Sequence, residues 1–377
     1  MIRVAHVVEA MHMGGAESLV VEHVRRAAPD VRSTVFALNR GGPAFDAAIA
    51  AGAEGLVLGK GGQRLGGMAN LARELRARRI DVVNGHNPTG ATYGTIAARM
   101  AGVPAVVRTE HSIHYRGRGG RFYAPVEALI TAQSDRVICV CEASRRSHAS
   151  RFGWAAGRFV TVLNGVSDTA APARARAETR AALGVAPFAP LALTVGSLTP
   201  QKSQDVLLEA MHRAAGRAPD AVLLVAGEGR LRDALLAQHA ELGLGGRVRF
   251  LGARDDVADL LEASDLMVLS SSREGLPVTL LEAMRAGRAA IATDVGGNAE
   301  AVADGVTGRI VPVGDAARMA DALAELLGDP ARLAAFGAAG HARWREKFTA
   351  TGMVRATEAI YREVLARRGR NETTAAA

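Results

Sequence analysis

Thirteen short runs rich in β-branched residues alternate with amphipathic helical stretches along this 377-residue chain. Nothing else in it constrains the fold as much. Strand and helix taking turns in this way imply βαβ units and a mostly parallel sheet covered by helices on both faces. Seven runs lie in the first half: "RVAHVVE" (3–9), "STVFAL" (33–38), "GLVLG" (55–59), "VVNGH" (82–86), "AVVRTEH" (105–111), "RVICVC" (136–141) and "FVTVLN" (159–164). Six follow in the second: "LALTVGS" (191–197), "AVLLVAG" (221–227), "RVRFLG" (247–252), "DLMVLSS" (265–271), "AAIATDV" (289–295) and "GRIVPV" (308–313). The stretch between them, "SDTAAPARARAETRAALGVAPFAP", is polar and proline-bearing and reads as a connector. A chain this long outgrows one ordinary core. The pattern therefore predicts an α/β protein of two doubly wound domains, residues 1–170 and 171–345, with a closing helical segment over 346–377. In such sheets ligands bind beyond the carboxyl ends of the strands, so the loops after strands matter most.

Charge is unevenly spread. The net +8 resides in residues 1–170, with 21 basic against 13 acidic side chains, while 171–377 balances 25 against 25. Clusters such as "RELRARR" (73–79) and "RGRGGR" (116–121) suit anionic headgroups or an acidic substrate. Solvated helix faces explain them as simply. Aromatics, only 4% of the chain, are too few to stack single-stranded bases, and no nucleic-acid partner is expected. No apolar run approaches the eighteen or so residues of a membrane span. The first residues read as a strand rather than a leader peptide, so a cytoplasmic protein is expected. Cys139 and Cys141, two apart on one strand, read as small buried residues.

Several strand-end loops carry residue types suited to an anionic, hydroxyl-rich ligand. "MHMGGAESLVV" puts Gly15 at a helix start, where backbone can approach a phosphate, although a plain tight turn fits as well. "VGSLTPQKSQDVLLEAM" offers Ser197 and Lys202. "VVRTEHSIHY" places Glu110, His111 and His114 past a strand, and "VLNGV" places Asn164 where the first domain ends. In "SSSREGLPVTLLEAMRAG", Pro277 suits the first turn of a helix and Gly287 its end. The N–H groups of Val278 and Thr279 would then be free for an anion, with Glu274 at the mouth. Glu282 lies five residues beyond Pro277, about 7.5 Å along the axis. Glu282 finds no partner among its neighbours Leu280, Leu281 and Ala283, and carboxylates accept well from sugar diols. The chain has no Asp-x-Asp pair to hold a divalent ion on a nucleotide diphosphate.

These segments together resemble family 4 of the retaining glycosyltransferases, which have the GT-B fold. The E-x7-E spacing from Glu274 to Glu282, set in "SSSREGLPVTLLEAMRAG", carries the resemblance, with "GGAE", "RTEHS" and "NGV" as weaker matches in the first half. The resemblance implies two Rossmann-like domains facing a cleft, a last helix within 346–377 that crosses back onto the first domain, a nucleotide diphosphate sugar as donor, and retention of anomeric configuration. By the same resemblance, Lys202, Gly15 and the helix start at Val278 and Thr279 would hold the diphosphate. Glu274 with Gly275 would hold the transferred sugar, Glu282 the ribose diol, and His111 the sugar near the reacting carbon. Glu110, His114 and Asn164 would stand on the acceptor side. Ser197 departs from the pattern, since many members have arginine there. Neither a cofactor nor a metal is expected. The basic first domain suggests a glycan or lipid-linked acceptor met at an anionic membrane surface. A GT-B epimerase and a partner subunit without turnover are the competing readings; both glutamates and Lys202 being present argues against the second.

Overall fold

The computed structural model describes residues 1–12, 14–59, 64–113, 120–169 and 171–375. The chain divides into two compact units, Met1–Gly165 with Ala350–Ala377, and Val166–Thr349. The first holds a seven-stranded sheet: β1 (Ile2–Ala10), β2 (Val31–Arg40), β3 (Glu54–Val57), β4 (Val82–His86), β5 (Ala105–Glu110), β6 (Arg136–Cys139) and β7 (Phe159–Thr161), in the order β3-β2-β1-β4-β5-β6-β7. The second holds six: β8 (Leu191–Val195), β9 (Val222–Ala226), β10 (Val248–Gly252), β11 (Leu266–Leu269), β12 (Ala289–Thr293) and β13 (Gly308–Val311), in the order β10-β9-β8-β11-β12-β13. Every strand pair is parallel. In each sheet the order reverses beside the first strand, between β1 and β4 and between β8 and β11. That switch point opens a crevice at the carboxyl edge.

Burial follows the helical coverage. All residues of β4, β5, β11 and β12 are buried, whereas the edge strand β3 is mostly exposed. Strands covered on both faces read as continuous apolar runs, which is why the sequence pattern found them. The helix Ala316–Leu327 buries Met319, Ala320, Leu323, Leu326 and Leu327 along one stripe, and its cap Asp315 accepts from the Arg318 amide at 2.9 Å. In the second unit Leu207, Leu208 and Met211 pack with Leu223, Val225, Val268 and Ile291. In the first, Leu71 and Leu75 close over Phe36 and Leu38.

The final helix, Ala350–Ala375, belongs to the first unit. Tyr361 is fully buried there, and its hydroxyl accepts from the Asn84 amide at 2.8 Å. Glu358 accepts from the Ala28 backbone at 2.9 Å. Both cysteines are buried, and neither is in a disulfide. Burial pushes the Cys139 thiol up to about 12. Cys141 accepts from the Ser144 amide and so caps the helix Glu142–Arg151, a role that the spacing of the two thiols did not announce. Several basic residues are used inside the unit: Arg78 pairs with Glu74, and Arg145 with Glu142. No described helix is long and apolar enough to cross a membrane.

Candidate functional site

In the second unit, four loops at the carboxyl edge are tied to one another. After β8, the segment Gly196–Lys202 leads into the helix Gln204–Arg213, and Ser203 between them has a positive φ of 47°. Only strong tertiary support holds a residue with a Cβ in that conformation. Part of the support comes from the loop after β11. Ser270 donates to the Lys202 carbonyl at 2.9 Å, Ser272 N donates to the Gln201 carbonyl at 2.8 Å, and the Gln201 amide reaches the Arg273 carbonyl at 3.0 Å.

This zipper brings Lys202 and Glu274 together. The ammonium donates to Oε1 of Glu274 at 2.6 Å, and the Ser271 hydroxyl donates to the same oxygen at 2.6 Å. Glu274 is buried and Lys202 half-buried. Glycines supply the backing. A Cβ on Gly229 would stand 2.7 Å from the Leu198 nitrogen, so the loop after β9 fits only without one. Gly297 N donates to the Gly275 carbonyl at 2.6 Å, which fastens the loop after β12 behind Glu274.

The helix after β11 runs Val278–Arg285. Pro277 is its cap, not its first helical residue as the sequence suggested. Proline's fixed φ of −65° is met, but a ψ of 125° keeps it extended. The helix's amides therefore begin at Val278 and Thr279, pointing out of its N-terminus. Glu282 lies one turn past Val278, on the same face. Burial raises its carboxyl to about 7, with Arg285 acting in the opposite direction. Gly287, with φ of 68°, ends the helix as expected. Ser197 is exposed, and its carbonyl accepts from Gln204 at 3.1 Å.

In the first unit Gly15 is exposed and opens the helix Gly15–Arg25. His111, just past β5, is half-buried, and its Nε2 faces Nδ1 of His86 at 3.1 Å. Glu110 differs from expectation. It ends β5 with its side chain turned inward to Arg108, a fully buried guanidinium whose Nη1 donates to Oε1 at 2.8 Å. An unpaired arginine there would be very costly, and Glu110 is committed to neutralising it rather than offered to an acceptor. Asn164 is buried after β7. His114 lies outside the described residues.

The sequence reading missed a cavity of about 490 Å³ in this unit, lined by Glu9, His12, Glu17, Asn39, Arg40 and His86. These residues lie at or just past the carboxyl ends of β1, β2 and β4 and in the following helix, so the strand-end rule could have found them. Glu9 accepts from Asn39 at 3.3 Å, and burial raises the Glu17 carboxyl. Among the described residues, no group of three or more His, Cys, Asp or Glu side chains is arranged to hold a metal ion.

Residues 175–343 match the family described as Glycosyl transferases group 1, and residues 13–170 match Glycosyltransferase Family 4. The alpha-maltose-1-phosphate synthase of Mycobacterium tuberculosis is 31% identical over 325 residues, covering 79% of this chain and 83% of that protein. The D-inositol 3-phosphate glycosyltransferase of Nocardia farcinica is 36% identical over 220 residues. That match takes in 56% of this chain but only 49% of the relative. Among solved structures, Anabaena Alr3699/HepE in complex with UDP and glucose superposes with a TM-score of 0.84, covering 96% of this chain and 100% of that one at 21% identity.

Proposed function

This chain belongs to the family 4 glycosyltransferases of GT-B fold, and from that premise we propose that it moves a hexosyl unit from a UDP- or GDP-sugar to a hydroxyl acceptor, with retention at the anomeric carbon and without a metal. The acceptor in this reading is a growing glycan or a lipid-linked sugar. The observation that carries the proposal is the cluster in the second unit. An ammonium, a buried carboxylate and the start of a helix converge there, with a second carboxylate one turn along.

Each part has a task in this reading. Lys202 and the amides of Val278 and Thr279 take the diphosphate, where leaving-group charge develops. Glu282 accepts from both ribose hydroxyls. Glu274 and the adjacent Gly275 hold the transferred sugar, and His111 meets that sugar near the reacting carbon. Glu274 suits a binder better than a nucleophile, because its Oε1 already accepts from Lys202 and Ser271. Attack from the face that the diphosphate leaves, with a phosphate oxygen taking the acceptor proton, needs no protein nucleophile. Ser197 can add only a neutral hydrogen bond.

Calorimetry with UDP, GDP and ADP, without added metal, tests the donor site. One nucleotide is expected to bind wild type and to bind Glu282→Ala at least tenfold more weakly, a loss of about 1.4 kcal/mol. If none binds wild type, the donor reading fails and a partner subunit without turnover replaces it.

The raised carboxyl adds a pH signature. The folded chain holds the Glu282 proton more tightly than the unfolded chain does. Its contribution to stability is full below the ordinary carboxyl value of 4.5 and is lost as pH rises through about 7. A ribose diol needs the ionised form, so nucleotide affinity moves the other way. Between pH 6 and pH 8 it should tighten by about tenfold more in wild type than in Glu282→Gln. The diphosphate's own titration is common to both proteins and cancels. Parallel pH curves for the two would remove Glu282 from the diol.

A further inference from the structure

A row of three imidazoles crosses the first sheet from the middle of β1 to the carboxyl ends of β4 and β5. His6 lies on β1, His86 ends β4 and His111 follows β5, and these strands are neighbours. Nδ1 of His6 is 3.1 Å from Nε2 of His86, and Nδ1 of His86 is 3.1 Å from Nε2 of His111. His23 stacks on His6 from the helix Gly15–Arg25, with centroids 5.5 Å apart. His6 and His86 are each only 2% exposed. The outer nitrogen of His111, Nδ1, is buried and has no partner among the described residues.

Burial holds His6 and His111 down to about 4 and His86 well below the ordinary imidazole value, so all three rings are neutral near pH 7. A neutral imidazole has one N–H and one lone pair. If His6 donates from Nδ1, His86 accepts at Nε2, must donate from Nδ1, and leaves His111 protonated at Nδ1. If His111 donates from Nε2 instead, the same logic runs backwards and every ring is protonated at Nε2. With both links made, no third pattern exists.

We propose that His86 and His6 are positioning residues for His111: the row locks the three rings into one shared tautomer, and that tautomer decides whether Nδ1 of His111 meets its ligand as donor or as acceptor. The ligand is a hydroxyl of the transferred sugar, a clause that rests on the role given to His111 above. A ring nitrogen without a partner is expensive to leave empty; Nδ1 is closed to solvent in the ligand-free chain, so binding must first uncover it, and a sugar hydroxyl then satisfies it in either sense. His86 transmits the choice because it is the only ring with a link on both sides.

Nitrogen-15 NMR of the full chain, ring-labelled at histidine and without ligand, reads the tautomers directly. Single His→Gln variants supply the assignments. His6, His86 and His111 are expected all as Nδ1–H or all as Nε2–H; a mixed set overturns the row. His86→Phe keeps a ring but removes both links. With the donor chosen by the binding screen, its kcat is expected to fall by about 10- to 100-fold, the range seen when the outer partner of a metal-binding histidine is lost. His86→Gln, which offers one donor and one acceptor, should restore most of the rate. Wild-type kcat in His86→Phe, alongside a large loss in His111→Ala, overturns the positioning role. An unchanged kcat in His111→Ala instead removes the sugar contact and leaves the tautomer result standing. Should His86→Phe fail to fold, the tautomer set and the rate of His86→Gln decide.

Discussion

Lys202→Met should lower kcat by about 10²- to 10³-fold, the cost of removing one group that stabilises charge on a departing oxygen. The size of the effect follows from what stands around it. Many members of the family have arginine where this chain has Ser197, which would offer the diphosphate no second cation. The backbone amides at Val278 and Thr279 would remain, as would the field of their helix, worth about 0.3–1 kcal/mol when exposed. Neither replaces an ammonium. The substitution also strips buried Glu274 of its 2.6 Å partner, leaving the Ser271 hydroxyl alone against its charge. Melting temperature should therefore fall as well. Lys202→Met with Glu274→Gln tests the stability effect alone, because a neutral amide needs no counter-charge: stability should return, while turnover stays low with both site residues changed. Rates within about threefold of wild type in Lys202→Met would remove Lys202 from the leaving group.

Gly296→Ala is the second large effect, and it acts on Glu274 from behind. Gly296 has a φ of +57°, which costs a residue with a Cβ about 1–2 kcal/mol. An added Cβ would also overlap the Glu274 carbonyl and stand 2.7 Å from the Gly275 carbonyl oxygen. Neither atom can move without displacing the loop that holds Lys202 against Glu274. Forcing a methyl into packed backbone adds about 1–3 kcal/mol, so the total should reach about 2–5 kcal/mol by denaturant unfolding. Activity should drop with it. Gly314→Ala is the control. Its φ is +74° and nothing stands within 4 Å of the added Cβ, so it should show the conformational cost alone. Equal losses in the two variants, with normal turnover in Gly296→Ala, would mean that the loop after β12 does not brace the site.

The sequence by itself determined the thirteen strands among the described residues and their division into two sets. The reason is physical: a parallel sheet is covered on both faces, so its strands must be short apolar runs bounded by polar loops. Such runs stand out without any tertiary knowledge. Gly287 and the helix it ends, and the lone Glu282 in an apolar stretch, were legible for the same local reason. Tertiary structure alone decided which long-range partners meet. Lys202 and Glu274 are 72 residues apart and touch only because β8 and β11 are neighbours at the switch point. Glu110 looked available in the sequence, but buried Arg108 two residues away claims it, and no local pattern shows that an arginine turns inward. The imidazole row was invisible for the same reason. His6, His86 and His111 belong to three separate βαβ units, and strand order, which sequence periodicity does not encode, is what lines them up.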